Sequence, residues 1–196
     1  PHSLGLFYTA MTQFLGFMNY GDEYKVMGLA PYGKVTKYEE ISDLIIKKQQ
    51  NLFKLNLKYF NHHKGNVEMS WLDGKPKIGK VYSEELIKLI GRPREQKERI
   101  NQNYMDIAAS TQRVYEDMLI YLANSIYEYK EIKNLCISGG CGMNSVANGK
   151  IKHKTNYEKI YIPPSPGDSG GAIGSACIIL KKYFQEVKDL SDNPYL

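Results

Sequence analysis

The sequence has 196 residues, of which 42% are hydrophobic and 24% charged, with a formal net charge of +5. That is ordinary globular composition, with length for one domain with a real core or two small ones. No apolar run approaches a membrane span and no signal peptide opens the chain, which argues for a cytoplasmic location and against a membrane partner. The lysines spread through Lys34–Lys64 and Lys75–Lys97 instead of forming a stripe with aromatic interleaving. A nucleic-acid partner is therefore disfavoured, and a small anionic ligand fits the modest excess better. Three cysteines, Cys136, Cys141 and Cys177, without a Cys-x-x-Cys pair, argue against a disulfide framework or zinc knuckle and suit a reducing compartment. Cys136 and Cys177 lie in apolar runs and are expected to be buried.

The chain opens Pro1-His2-Ser3 and enters patterned sequence at once, which reads as a piece of something larger. Leu4 to Phe17 carries Leu4, Phe7, Tyr8, Met11, Phe14 and Leu15 at helical spacing. A short helical turn follows in Gly21–Gly33, and Pro31 stops it. Tyr38 to Gln50 reads as another short helix. Leu52 to Phe60 alternates apolar and polar residues, as a strand with one exposed face does. Asn61 to Lys80 suggests a hairpin or irregular excursion, and Ser83 to Ile90 a helix stopped by Gly91 and Pro93. The longest helix, Met105 to about Tyr129, aligns Ile107, Ala108, Thr111, Val114, Tyr115, Met118, Leu119, Leu122 and Ile126 on one stripe. Leu135–Ser138 is a short strand of buried type, Met143 to about Lys150 a short helix, Lys159–Ile162 a strand and Ser169–Phe184 a helix; the last dozen residues read as a tail. Alternation of helix and strand over the last ninety residues implies parallel strands with covering helices.

Twice in that region an apolar strand runs into a glycine-rich loop that opens a helix. Ser138-Gly139-Gly140-Cys141-Gly142 lets the backbone approach a ligand closely, and helix N-termini attract anions. Asn144, just inside the next helix, can both donate to and accept from a ligand. The alternative is a tight strand-to-helix turn with no ligand. Neither Gly-x-Gly-x-x-Gly nor a Walker-type Gly-Lys-Ser/Thr occurs, which disfavours those two nucleotide folds. In Pro163–Gly171, Asp168 is either an N-cap or a carboxylate at the mouth of the sheet that ligates a metal. Gly167-Asp-Ser-Gly-Gly171 also spells the nucleophile string of chymotrypsin-like proteases, but no histidine stands in a matching context and a helix follows where a strand is needed. Glu23 and Lys25 are candidates for ribose and phosphate contacts, against a surface ion pair. His62 and His63, adjacent at a strand end, point to opposite faces and read as bystanders. Cys141 is reachable in its loop, but no histidine partner stands near it in sequence.

Pro1–Gly5, Glu23–Gly33, Asp106-Ile-Ala-Ala-Ser-Thr-Gln112, Leu135–Gly149 and Pro164–Gly174, in that order, resemble the O-carbamoyltransferases of the nodulation and antibiotic-tailoring type. The resemblance implies an α/β fold of the actin-like ATPase and sugar-kinase (ASKHA) class, a mixed sheet flanked by helices. Residues 1–196 would be one partial domain, the C-terminal RNase H-like portion, with the upstream half and a YrdC-like domain outside the chain. Such enzymes resemble the tRNA threonylcarbamoyl transferase in this domain. Implied ligands are ATP and the carbamoyl-adenylate made from it with carbamoyl phosphate, a divalent metal of iron type, and a small-molecule hydroxyl acceptor; an oligomer is left open. By the same resemblance Gly139, Gly140 and Asn144 match the nucleotide loop, Glu23 and Lys25 the nucleotide-side helix, and Asp168 the metal aspartate. No residue is assigned as catalytic, and the fragment alone is expected to be inactive. The family's His-x-x-x-His ligand pair is expected upstream and does not occur in this chain, and Cys141-Gly142 stands where relatives often carry aliphatic residues. Rival expectations are a tRNA threonylcarbamoyl transferase-like enzyme and a non-catalytic nucleotide-binding domain.

Overall fold

Helix α5, Gln102–Lys130, is the spine on which the other elements assemble. The computed structural model describes residues 1–48, 52–65 and 67–184. Asn101 starts α5 as an N-cap, its side chain accepting from the Tyr104 amide at 3.2 Å; this satisfies one of the amides a helix start leaves unpaired. Ile107, Ala108, Thr111, Val114, Tyr115 and Met118 form its buried stripe, as the helical period predicts. The stripe fades further on. Leu119 and Leu122 are half-buried and Ile126 is exposed; Tyr157 meets the last turns, its hydroxyl donating to Ala123 O at 2.9 Å.

Helix α1, Leu4–Phe14, lays Phe7, Met11 and Phe14 into the core. Tyr8 meets Tyr115 of α5 edge-on at 5.2 Å between ring centroids. Arg94 seals the end of α1, donating from Nε to Leu15 O. Helix α2, Glu23–Leu29, gives way at Pro31 to a 3-10 turn, Ala30–Tyr32, that packs on α5. Gly33 closes this turn. An added Cβ there would stand 2.0 Å from Met105 O, so only glycine permits the close approach of the two backbones.

Two expectations need correction in the next stretch. The helix anticipated over Tyr38–Gln50 ends early: α3 is Tyr38–Ser42, and the chain then forms strand β1, Ile45–Lys48, antiparallel to β2, Leu52–Leu55. Ile45 pairs with Leu55, and both are buried; cross-strand packing of these residues outweighs the local helical pattern. Gln49 and Gln50 lie outside the described residues. The strand expected through Phe60 stops at Leu55, because the Asn56 amide is anchored on Leu44 O at 2.9 Å and a 3-10 turn, Leu57–Tyr59, follows.

The hairpin expected within Asn61–Lys80 is present as β3, Met69–Leu72, and β4, Lys75–Ile78. Helix α4, Glu84–Ile90, ends at Gly91 as anticipated. Beyond α5 come β5, Asn134–Cys136, then α6, Ser145–Lys154, then β6, Lys159–Tyr161, and finally α7, Gly170–Phe184. Strands β5 and β6 are parallel, with α6 as the crossover. The described residues thus form an α/β arrangement with three two-stranded sheets. The buried character expected of β5 and of two cysteines is not observed: Cys136 is exposed and Cys177 half-exposed. Residues of an apolar strand are buried only if something covers both faces of the sheet, and no further strand flanks β5 and β6 among the described residues. The tail at 185–196 lies outside the described residues.

Candidate functional site

The parallel pairing of β5 and β6 continues into the loops that follow them. Ile137 donates its amide to Tyr161 O at 3.0 Å, and Gly139 donates to Pro166 O at 2.6 Å. The turn after β5 is thus clasped to the turn after β6. Gly142 packs on the Pro166 ring, and Gly167 lies against the Met143 methyl. Gly139 holds φ +94° with ψ 168°, a backbone region that is essentially glycine-only. An added Cβ on Gly139 or Gly140 would meet no atom within 4 Å, so both backbones face open space. A 3-10 turn, Gly140–Met143, starts here and leads into α6. Amides at the start of such turns lack acceptors within the turn, which is the arrangement that attracts anions.

Glu23 stands in the first turn of α2, its carboxylate accepting from Thr9 Oγ1 at 2.7 Å. Helix α2 borders the start of α6, where Ser145 Oγ meets Met27 Sδ at 3.8 Å. The structure therefore brings Glu23 and the glycine loop to one neighbourhood. Burial, opposed by a hydrogen bond from Tyr115 and reinforced by the charge of Glu23, pushes the Cys141 thiol up, so it stays protonated near neutrality. That protonation, and the Sγ position against the start of α1, suit a packing role. Lys25 is placed differently: its ammonium pairs with Asp22 at 2.6 Å and lies over the Phe17 and Tyr24 rings, which is the ion-pair reading.

Asn144 is half-buried, and its side-chain amide is engaged by protein. Its Oδ1 caps α6 by accepting from the Ala147 amide at 3.0 Å, and the rest of the amide pairs with Gln112 of α5. Asp168 is exposed in the turn between β6 and α7. Among the described residues no group of three or more His, Cys, Asp or Glu side chains is arranged to hold a metal ion. Asp168 offers one exposed carboxylate to such an ion, and the chain carries no His-x-x-x-His pair beside it. His62 and His63 sit on a 3-10 turn, not at a strand end; their rings meet edge-on, and His62 Nε2 lies 2.7 Å from Pro1 O.

Gln112, Glu116 and Tyr8 form a buried polar cluster beneath the glycine loop that motif reasoning did not assign. Its signals in the sequence were polar residues interrupting the apolar stripe of a long helix, since buried polar groups are the informative exceptions, and the place of Gln112 at the end of the Asp106–Gln112 block.

A crossover unit with two clasped glycine turns at the carboxyl ends of its strands defines a protein of the α/β class. The chain belongs to the carbamoyltransferase family: the family model described as Carbamoyltransferase N-terminus matches residues 1–177. It is 40% identical to uncharacterized protein sll1178 of Synechocystis sp., over 94% of this chain and 28% of the relative. Uncharacterized protein MJ1058 of Methanocaldococcus jannaschii is 30% identical over 97% of the chain and 27% of its own length. Nodulation protein NolO of Bradyrhizobium diazoefficiens is 28% identical over 91% of the chain and 28% of its own length. The chain thus spans little more than a quarter of the length of these relatives.

Proposed function

We propose that this chain is the nucleotide-facing part of an O-carbamoyltransferase, which transfers a carbamoyl group from carbamoyl-adenylate to a hydroxyl of a small molecule. The clasp between Gly139 N and Pro166 O carries the reading. It holds two glycine turns side by side at the ends of parallel strands, with open space over Gly139 and Gly140. In this reading the crossover unit β5–α6–β6 belongs to an RNase H-like half of an ASKHA fold. The Gly139 amide is held by Pro166 O and the Gly142 amide by Gly139 O, so the amides of Gly140 and Cys141 bind the adenylate phosphate, and Glu23 faces the ribose. The acceptor oxygen attacks the carbamoyl carbon, a new C–O bond forms, and the bond from that carbon to the phosphate oxygen breaks. AMP leaves with the electron pair, and the hydroxyl proton passes to solvent. Rate enhancement comes chiefly from positioning and from stabilising the charge on the departing phosphate. The family match and the resemblance to nodulation proteins support the transferase assignment.

Gly140→Val in the full-length protein tests it. A Cβ at this position meets no atom within 4 Å, so the variant should melt like the parent. The side chain would fill the space the phosphate needs. Calorimetry with a non-hydrolysable ATP analogue should show binding weakened tenfold or more, and consumption of carbamoyl phosphate in the presence of ATP and a hydroxyl acceptor should fall with it. Unchanged affinity in a folded variant would remove the loop from the nucleotide site.

A further inference from the structure

We infer that Gln112 is a positioning residue for the glycine loop: by an amide pair with Asn144 it sets where the Gly139–Asn144 backbone stands, and hence how well that backbone receives a nucleotide phosphate. For its ligand this rests on the nucleotide-binding reading above.

Gln112 is 4% exposed in the middle of α5, where an unpaired amide would be costly. Every hydrogen-bonding position of its side chain is filled. Oε1 accepts from Tyr8 Oη at 2.7 Å and from Asn144 Nδ2 at 3.0 Å. Nε2 donates to Asn144 Oδ1 at 3.0 Å and to Glu116 Oε1 at 2.9 Å. The two amides therefore face each other in a reciprocal pair.

The polarity of this pair is forced from one end. The Ala147 backbone amide can only donate, so the Asn144 atom that meets it is the oxygen. The Gln112 atom opposite that oxygen must then be the nitrogen, and its second proton needs an acceptor. Glu116, 3% exposed, supplies one oxygen, and its other oxygen takes Lys150 Nζ at 2.5 Å. Lys150 lies on α6, the helix that Asn144 caps. Helix α6 is thereby fixed to α5 at two points about 9 Å apart along its axis.

The loop itself hangs on the same frame. Tyr115 Oη donates to Cys141 O at 2.9 Å, and Asn148 Nδ2 donates to Gly142 O at 2.7 Å. Between the Cys141 tie and the Asn144 pair the 3-10 turn has little freedom. Helices α1, α5 and α6 all meet at Gln112, and a binding loop works only when its supports hold it within a fraction of an ångström.

The test uses the full-length protein with Gln112→Met, which keeps the volume and removes the four hydrogen bonds, and Tyr8→Phe, which removes one hydroxyl and keeps the ring on Tyr115. Amide hydrogen exchange in the peptide covering Gly139–Ala147 should rise tenfold or more in Gln112→Met, and less in Tyr8→Phe, while exchange in Glu84–Ile90 stays at the wild-type rate. Affinity for a non-hydrolysable ATP analogue should fall in the same order. Gln112→Met combined with Asn144→Ala should weaken binding no more than the worse single change. If Gln112→Met does not fold, Tyr8→Phe carries the test alone. A folded variant with wild-type loop exchange, or one with a looser loop and unchanged analogue affinity, overturns the inference. If the wild-type protein does not bind the analogue, the nucleotide reading fails, and loop exchange alone decides whether Gln112 positions the turn.

Discussion

Replacing Gly33 by alanine should loosen the junction between α2 and α5, and the size of the effect follows from the geometry. Gly33 has φ −105° and ψ 170°, a conformation any residue adopts, so backbone strain plays no part. The cost is steric: the new Cβ would lie 2.0 Å from Met105 O, 2.3 Å from Met105 C and 2.7 Å from Asp106 N, all rigid helix backbone. Relief requires the 30–34 segment to retreat by more than an ångström. Overpacking of this kind costs about 1–3 kcal/mol. Retreat also stretches the bond from the Lys34 amide to Asp106 Oδ1, now 2.8 Å, and a hydrogen bond to a charged group contributes about 1.5–3 kcal/mol. The expected loss in local opening free energy is on the order of 3 kcal/mol, or roughly a hundredfold faster exchange. Gly28→Ala is the control. It sits inside α2 with no atom within 4 Å of its added Cβ, and should stabilise by about 0.5–1 kcal/mol. Native-state hydrogen exchange of Lys34–Tyr38 and of the first turns of α5 measures both. Exchange in Gly33→Ala within a factor of two of wild type, or equal damage from Gly28→Ala, would refute the steric reasoning.

Gly139→Ala should strain the loop by about 1–3 kcal/mol, because its φ of +94° is closed to alanine. It should therefore both destabilise the protein and weaken analogue binding, whereas Gly140→Val should affect binding alone; equal melting temperatures for the two variants would contradict this. Alkaline pH should destabilise the fold. Burial holds the Cys141 thiol above its ordinary 9.0 and the Tyr8 and Tyr115 phenols above their ordinary 10.0. Once pH exceeds those ordinary values, the unfolded chain releases protons that the folded chain retains, so stability falls as pH rises. Denaturation midpoints should decline above about pH 9 and more steeply above about pH 10. A midpoint that stays level from pH 8 to 11 would show that these groups do not govern the transition.

How much could be read from the sequence depends on whether a residue's role is set locally or by its neighbours in space. Helices α1 and α5 were legible because their apolar residues recur at helical spacing over three or more turns, whereas the polar stretch Asn61–Lys80, with Gly65 and Gly74, left a hairpin and an irregular excursion both open. Strand β1 was not legible. Ile45-Ile46-Lys47-Lys48 suits a helix as well as a strand, and the deciding contact, Leu55 across the ladder, is made by the fold. The burial anticipated for Cys136 failed for a related reason: apolar character marks a residue that can be covered, and only the assembled sheet decides whether it is.

The glycine turns after β5 and β6 were visible as a pattern, and their contact through Gly139 and Pro166 follows from parallel pairing of adjacent strands. Asn144 shows where such reading stops. Its type and place at the start of a helix fit a ligand contact and an N-cap equally, and the structure engages it as an N-cap with its remaining atoms turned to Gln112. A half-buried asparagine at a cap gains from a partner for its amide protons, and a partner 32 residues away in sequence leaves no local trace. The physical requirement is nevertheless present in the sequence. A glutamine and a glutamate one turn apart on the buried face of a helix must be matched by polar groups from the element packed against them. In this chain that element is α6 with the loop before it. The pairing of Gln112 with Asn144 is one instance of that rule, a buried polar position on a long helix met by the capping residue of a glycine loop.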